Sequence, residues 1–152
     1  MPYNADLAFI QQQWLDEAYP RENTLILGNG FYCLFELPHG ASRLQDKVWL
    51  PALDHRPAEA CEGLATLGCS APGPEPWQAL GGECAAHGGD GFLALQEKDS
   101  QRLIWLLVLR ETNPFAQVRI RDRHIEAQST SGVSVCIPIE RPDQLTLVWP
   151  AC

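Results

Sequence analysis

The sequence predicts an α+β fold built mainly on antiparallel sheet, and three observations carry that prediction. The first is residues 102–110, where seven consecutive apolar residues stand between two arginines without alternation. The run is short for a buried helix, and Trp, Ile and Val favour a strand, so it predicts a central strand covered on both faces. The second is the succession of short apolar or alternating segments after residue 92, each bounded by turn residues, which predicts a meander. The third is a 3.6-residue apolar period confined to the first 18 residues. These imply about eight strands with an N-terminal helix and a second short helix packed on them. The 152 residues form a single domain on this reading, one that buries about 70% of its unfolded surface.

Asn4 is placed to cap a first helix running to about residue 18, with Leu7, Ile10, Trp14 and Ala18 on one face. Pro20 disfavours continuation by biasing Tyr19 away from helical geometry. The Asp16–Glu17 pair lies at the negative end of the helix dipole, where acids are mildly unfavourable, and surface acids set against a local rule sometimes serve a partner. Residues 24–27 and 31–37 flank Gly28-Asn29-Gly30, a hairpin signal because Asn and Gly tolerate positive φ. A dinucleotide-binding turn is excluded, since Cys33 stands where the third glycine belongs and a strand follows instead of a helix.

Residues 47–53 read as a strand, and Asp54 then caps a short helix over about 57–67, ended by Gly68. Residues 70–91 change character. Pro72, Pro74 and Pro76, then Gly81-Gly82 and Gly88-Gly89-Asp90-Gly91, read as one long Pro/Gly-rich loop. Strands follow at 92–96, 102–110, 115–121, 124–128, 133–139 and 145–149, with Pro138 marking an edge or a bulge.

Net charge is −8, from 19 acidic and 11 basic residues. That balance argues against direct nucleic-acid and anionic-membrane binding and favours a basic partner. The first 20 residues show no basic start and no apolar core of a secretory signal, and no stretch approaches the roughly 20 apolar residues of a membrane span. The expectation is a cytoplasmic protein whose six cysteines are reduced thiols.

Chemistry-bearing residues form no diagnostic motif. Cys84-x-x-His87 has a close ligand spacing, but Cys61-x7-Cys69 is too loose to supply the second tight pair of a zinc site, so no metal or cofactor is expected. Cys33 and Cys136 fall in apolar strands and read as core. A nucleophilic pair would draw on Cys69 or Cys84 with His55, His87 or His124, and none lies in a family motif. Ser129-Thr130-Ser131-Gly132 lacks the nucleophile elbow and reads as a turn. Arg119, Arg121 and Arg123, spaced by two, read as a solvated strand face.

The acidic middle is the sharper signal. Residues 54–90 hold Asp54, Glu59, Glu62, Glu75, Glu83 and Asp90 against Arg56 alone, with Trp77 among them. An aromatic surrounded by acids suits a protein-binding anchor with a charged rim, so these six acids and Trp77 are the expected partner-binding residues. In size, acidity and lack of a catalytic motif the chain resembles the immunity proteins of bacterial toxin–immunity pairs. That resemblance implies a non-catalytic module that blocks the active site of a toxin directed at nucleic acid or nucleotides. The alternatives are a small enzyme with a dispersed Cys/His site under the 70–91 loop, or a regulatory ligand-binding module with an edge strand such as 133–139 pairing between chains.

Overall fold

The computed structural model of the protein describes residues 4–55 and 60–151. Among them the chain forms one α-helix, two single-turn 3-10 segments and thirteen strands in three antiparallel sheets. Helix α1 (Ala5–Leu15) starts at Asn4, whose side chain accepts the Leu7 N–H at 3.1 Å, as a helix N-cap does. It stops short of Ala18, because Glu17 takes a left-handed φ of +53° and Ala18 opens strand β1 (Ala18–Pro20).

The large sheet has seven strands. In spatial order they are β4 (Gln45–Pro51), β3 (Phe31–Glu36), β2 (Thr24–Leu27), β9 (Leu103–Leu109), β8 (His87–Glu97), β7 (Trp77–Cys84) and β6 (Leu64–Cys69). The apolar run therefore occupies the middle position, as its pattern predicts. Its residues serve two cores. Trp105, Leu107 and Leu109 join Leu25, Cys33, Leu93 and Leu95 on one face, while Leu106 and Val108 join Ile26, Tyr32, Phe92 and Ala94 on the other. Each fully buried aliphatic side chain of this kind stabilises the fold by about 1.5–3 kcal/mol.

One face is covered by α1, through Ile10 and Trp14, and by the two-stranded ribbon of β1 with β5 (Ala60–Glu62). The other is covered by a second sheet, the meander of β10 (Phe115–Arg121), β11 (His124–Ser129), β12 (Ser134–Pro138) and β13 (Thr146–Val148). Ile125, Ala127, Val135, Ile137 and Leu147 point inward, and alternate residues such as Arg119 and Gln128 face solvent, as in a sheet with one wet face. The Trp105 indole N–H donates to the Ile139 carbonyl at 3.2 Å and ties the two sheets together. Pro138 pairs only with His124, beyond the last β12–β13 pair, so its missing N–H costs no ladder bond.

Four expectations are corrected, and the first is the count of about eight strands, which becomes thirteen because β1, β5, β6 and β7 form where the sequence predicts a turn, a helix or a loop. The helix over 57–67 is absent from the described part of that span, which forms β5 and β6; residues 56–59 lie outside the described residues. Gly63, at φ +99°, separates the two strands, and pairing of β6 along β7 overrides the helix propensity of Ala, Glu and Leu. The long loop at 70–91 shrinks to a connection over 70–76, because β7 and β8 occupy the rest. Gly81, Gly82 and Gly91 mark close approach instead of flexibility. A Cβ on Gly82 would lie 1.9 Å from the Ala65 carbonyl oxygen, and one on Gly91 would lie 2.4 Å from that of Asn113. Asp54 ends the 3-10 turn Ala52–Asp54 and caps no helix among the described residues. The Gly28–Gly30 hairpin forms as expected, with Gly30 the residue at positive φ (+117°).

Candidate functional site

The acids expected to form one contact surface occupy several. Asp54 and Glu62 are exposed in the layer that carries α1, and Glu59 lies outside the described residues. Glu75 sits in the connection before β7. Glu83 is half-buried six residues along β7 from Trp77, about 20 Å away at the rise of a strand. Asp90 is only 4% exposed. Its carboxylate accepts the Glu111 N–H at 3.0 Å and lies 3.9 Å from the Arg21 Nε, which makes it an internal brace.

What the fold does assemble is an acidic helical layer. Over 4–23, 52–55 and 60–63 the described residues carry Asp6, Asp16, Glu17, Glu22, Asp54 and Glu62 against Arg21. The layer is fixed by backbone bonds to its own acids. The Leu53 N–H donates to Asp6 at 2.9 Å and docks the 3-10 turn on the start of α1, while the Leu64 N–H donates to Glu17 at 2.8 Å and docks β6 beyond its end. Asp54 therefore stands near one end of α1 and Asp16, Glu17 and Glu62 near the other, separated by a helix of about 17 Å. Phe9, Leu15 and Leu53 are exposed by 41%, 73% and 38%, with Leu53 beside the start of α1 and Leu15 at its last turn, about 120° around the helix from Phe9. Exposed apolar side chains on a layer rich in acids give it a composition that protein contact surfaces also have. The sequence signal for Phe9 and Leu15 was available, since both are apolar residues off the Leu7–Ile10–Trp14 stripe.

Trp77 belongs elsewhere. It borders the core between the two sheets and lines a groove of about 620 Å³ at their open end. Trp49 from the edge strand β4, Leu27 and Ile104 supply further apolar wall, and Arg102, Arg123 and Arg141 stand around it. Arg123 does not share a strand face with Arg119 and Arg121, because it lies in the two-residue turn between β10 and β11 with its guanidinium 5.4 Å from the Trp77 ring centre. Arg119 pairs across the strands with Glu126 at 2.6 Å.

The thiols are placed for structure. Cys84 and His87 are cross-strand partners at the end of β7–β8, and Cys84 shares the helix-side core with Cys61, while Cys69 is exposed. Burial pushes the Cys84 thiol up to about 12 and the Cys33 thiol up to about 11, which leaves both protonated and unreactive at neutral pH. Cys136, expected in the core, is half-exposed on the wet face of the small sheet opposite Glu126. Among the described residues no three of the His, Cys, Asp and Glu side chains converge as a metal site would require. Ser129 and Ser131 sit at the turn after β11, with the Ser131 hydroxyl donating to the Thr112 carbonyl at 2.9 Å. No described helix is long and apolar enough to cross a membrane.

Comparison with protein-family models, with curated proteins and with solved structures returned no match.

Proposed function

We propose that this chain is a non-catalytic binding protein that presents its acidic helical layer to a basic protein partner, in the manner of an immunity protein that blocks a nucleic-acid- or nucleotide-directed toxin. The observation that supports the reading is the segregation of charge. Among the described residues this layer carries six acids and one arginine together with the exposed Phe9, Leu15 and Leu53, whereas in the layer across the large sheet Arg119, Arg121, Arg123 and Arg141 are balanced by Asp122, Glu126, Glu140 and Asp143. Such a face steers a cationic active site into register and covers it with apolar contacts that slow release. Asp54 and Glu62 from the acidic middle serve on this surface; Trp77 does not.

The test pairs two double variants of equal charge change. Asp16→Lys with Glu62→Lys alters the acidic layer, and Asp122→Lys with Glu126→Lys alters the small sheet. Each is co-expressed with the product of the neighbouring gene, which this reading requires to be a toxin domain that kills cells lacking this chain. The first double should slow association by about tenfold or more at low salt and abolish protection, and the second should change either only slightly. Equal effects from both, or an association rate indifferent to salt, would refute the reading.

A further inference from the structure

We propose that the groove at the open end of the two sheets is a second site, one that binds a small organic anion carrying a flat ring. It lies across the large sheet from the acidic layer, so its occupant is separate from the protein partner. The volume of about 620 Å³ falls within the range of small-ligand pockets, roughly 300–1,000 Å³. Trp49, 45% exposed, and Trp77, which carries the Arg123 guanidinium over its ring, line the groove on strands five apart in the large sheet, and Ile104 adds aliphatic surface. A flat ring gains most against such walls.

Charge selects the sign of the ligand. Arg102 lies 3.7 Å from Glu97, Arg123 pairs with Glu140, and Asp143 is shared by Lys47 at 3.3 Å and Arg141 at 3.4 Å. Four cations thus meet three carboxylates, a local excess of positive charge on a chain whose net charge is −8. The carboxylate common to Lys47 and Arg141 leaves cationic capacity for an anion entering the groove.

Arg123 supplies an independent argument. Arg121 and His124 close a two-residue loop in which both Asp122 and Arg123 have positive φ, +49° and +60°. Tight hairpin turns of this pattern favour Asn or Asp followed by Gly, and a long L side chain in the second place is strained. The fold nonetheless holds an arginine there, with its guanidinium over Trp77 and against Glu140. Strain maintained at a groove rim points to a group fixed in place before its ligand arrives. That fixed cation is the one assigned to the anionic group.

The five tryptophan indole N–H signals give a direct readout by NMR, with Trp14 and Trp149 as internal controls. Adenosine monophosphate and indole-3-acetate carry both ring and anion; adenosine, indole and inorganic phosphate carry one feature each. The two complete probes should shift Trp49 and Trp77 saturably with dissociation constants below about 1 mM, and the single-feature probes should bind at least about tenfold more weakly. Arg123→Gly relaxes the turn, so it should leave thermal stability equal or higher while weakening both complete probes about tenfold or more. The proposal is overturned if neither probe saturates below about 10 mM, if Arg123→Gly leaves their affinity unchanged, or if phosphate alone binds as tightly as adenosine monophosphate.

Discussion

Replacing Gln11 by leucine should cost the protein about 2–4 kcal/mol while leaving it folded. Gln11 lies on α1, yet its amide completes the large sheet. Pairing of β2 with β9 ends at the Gly28 N–H, which donates to the Ile104 carbonyl at 2.8 Å, and at Leu103 Gln11 takes over as a peptide group would. Its Nε2 donates to the Leu103 carbonyl at 2.9 Å and to the Gly28 carbonyl at 3.1 Å, and its Oε1 accepts the Leu103 N–H at 3.0 Å. The site is too tight for any other arrangement, since a Cβ on Gly28 would lie 2.0 Å from the Leu103 carbonyl oxygen. Leucine keeps the bulk of the side chain and removes all three bonds. At about 1 kcal/mol net per bond, with part of the orphaned backbone regaining water, the range above follows. Urea denaturation followed by tryptophan fluorescence measures the total, and native-state amide exchange at Leu103 locates it. A loss below about 0.5 kcal/mol, with Leu103 exchange unchanged, would refute the idea that this side chain substitutes for a strand.

Three further outcomes follow from geometry already described. Gly82→Ala should detach β6 from the large sheet and cost more than about 3 kcal/mol, because the obstruction is the Ala65 backbone and not a movable side chain; circular dichroism and urea midpoints report it. Stability should be intact below about pH 8.5, where thiols in the unfolded chain begin to ionise, and should fall as pH rises toward the native values of about 11 for Cys33 and about 12 for Cys84. Each thiol contributes up to roughly 1.4 kcal/mol per pH unit in that window, so Cys84→Ala should flatten a plot of urea midpoint against pH. Iodoacetamide at pH 8 should modify Cys69 in the native protein and reach Cys33 and Cys84 only after unfolding, as peptide mapping would show.

The elements legible in the sequence are those whose signal is local. Seven apolar residues in a row can only be satisfied between two layers, and the structure supplies both, a helix on one side and a sheet on the other. Asn4 and the alternation through Val118, Ile120, Ile125 and Ala127 were readable for the same reason. The misread stretches depend on partners distant in the chain. Gly81-Gly82 and Gly91 look like part of a flexible loop until the Ala65 and Asn113 carbonyls are seen pressing on Gly82 and Gly91. Likewise, the Ala- and Glu-rich segment before Gly68 is extended because β7 arrives beside it, about fifteen residues later. The acidic surface was half legible. Composition showed that residues 54–90 are acidic, but it placed the centre of that charge at Trp77. Only the layering shows that α1 collects the acids and that Trp77 borders a different opening.

The strand order of the large sheet carries a consequence for how the molecule is made. β9 joins β2 to β8 and is the last of the seven strands to be synthesised, with Thr24 waiting for Val108 and Leu25 for Leu107. Until residues 103–109 leave the ribosome, the nascent chain holds two separate meanders, each with an open, apolar inner edge and each able to recruit the wrong neighbour. The native contacts that close this gap span more than eighty residues, which places the molecule among slow, topology-limited folders.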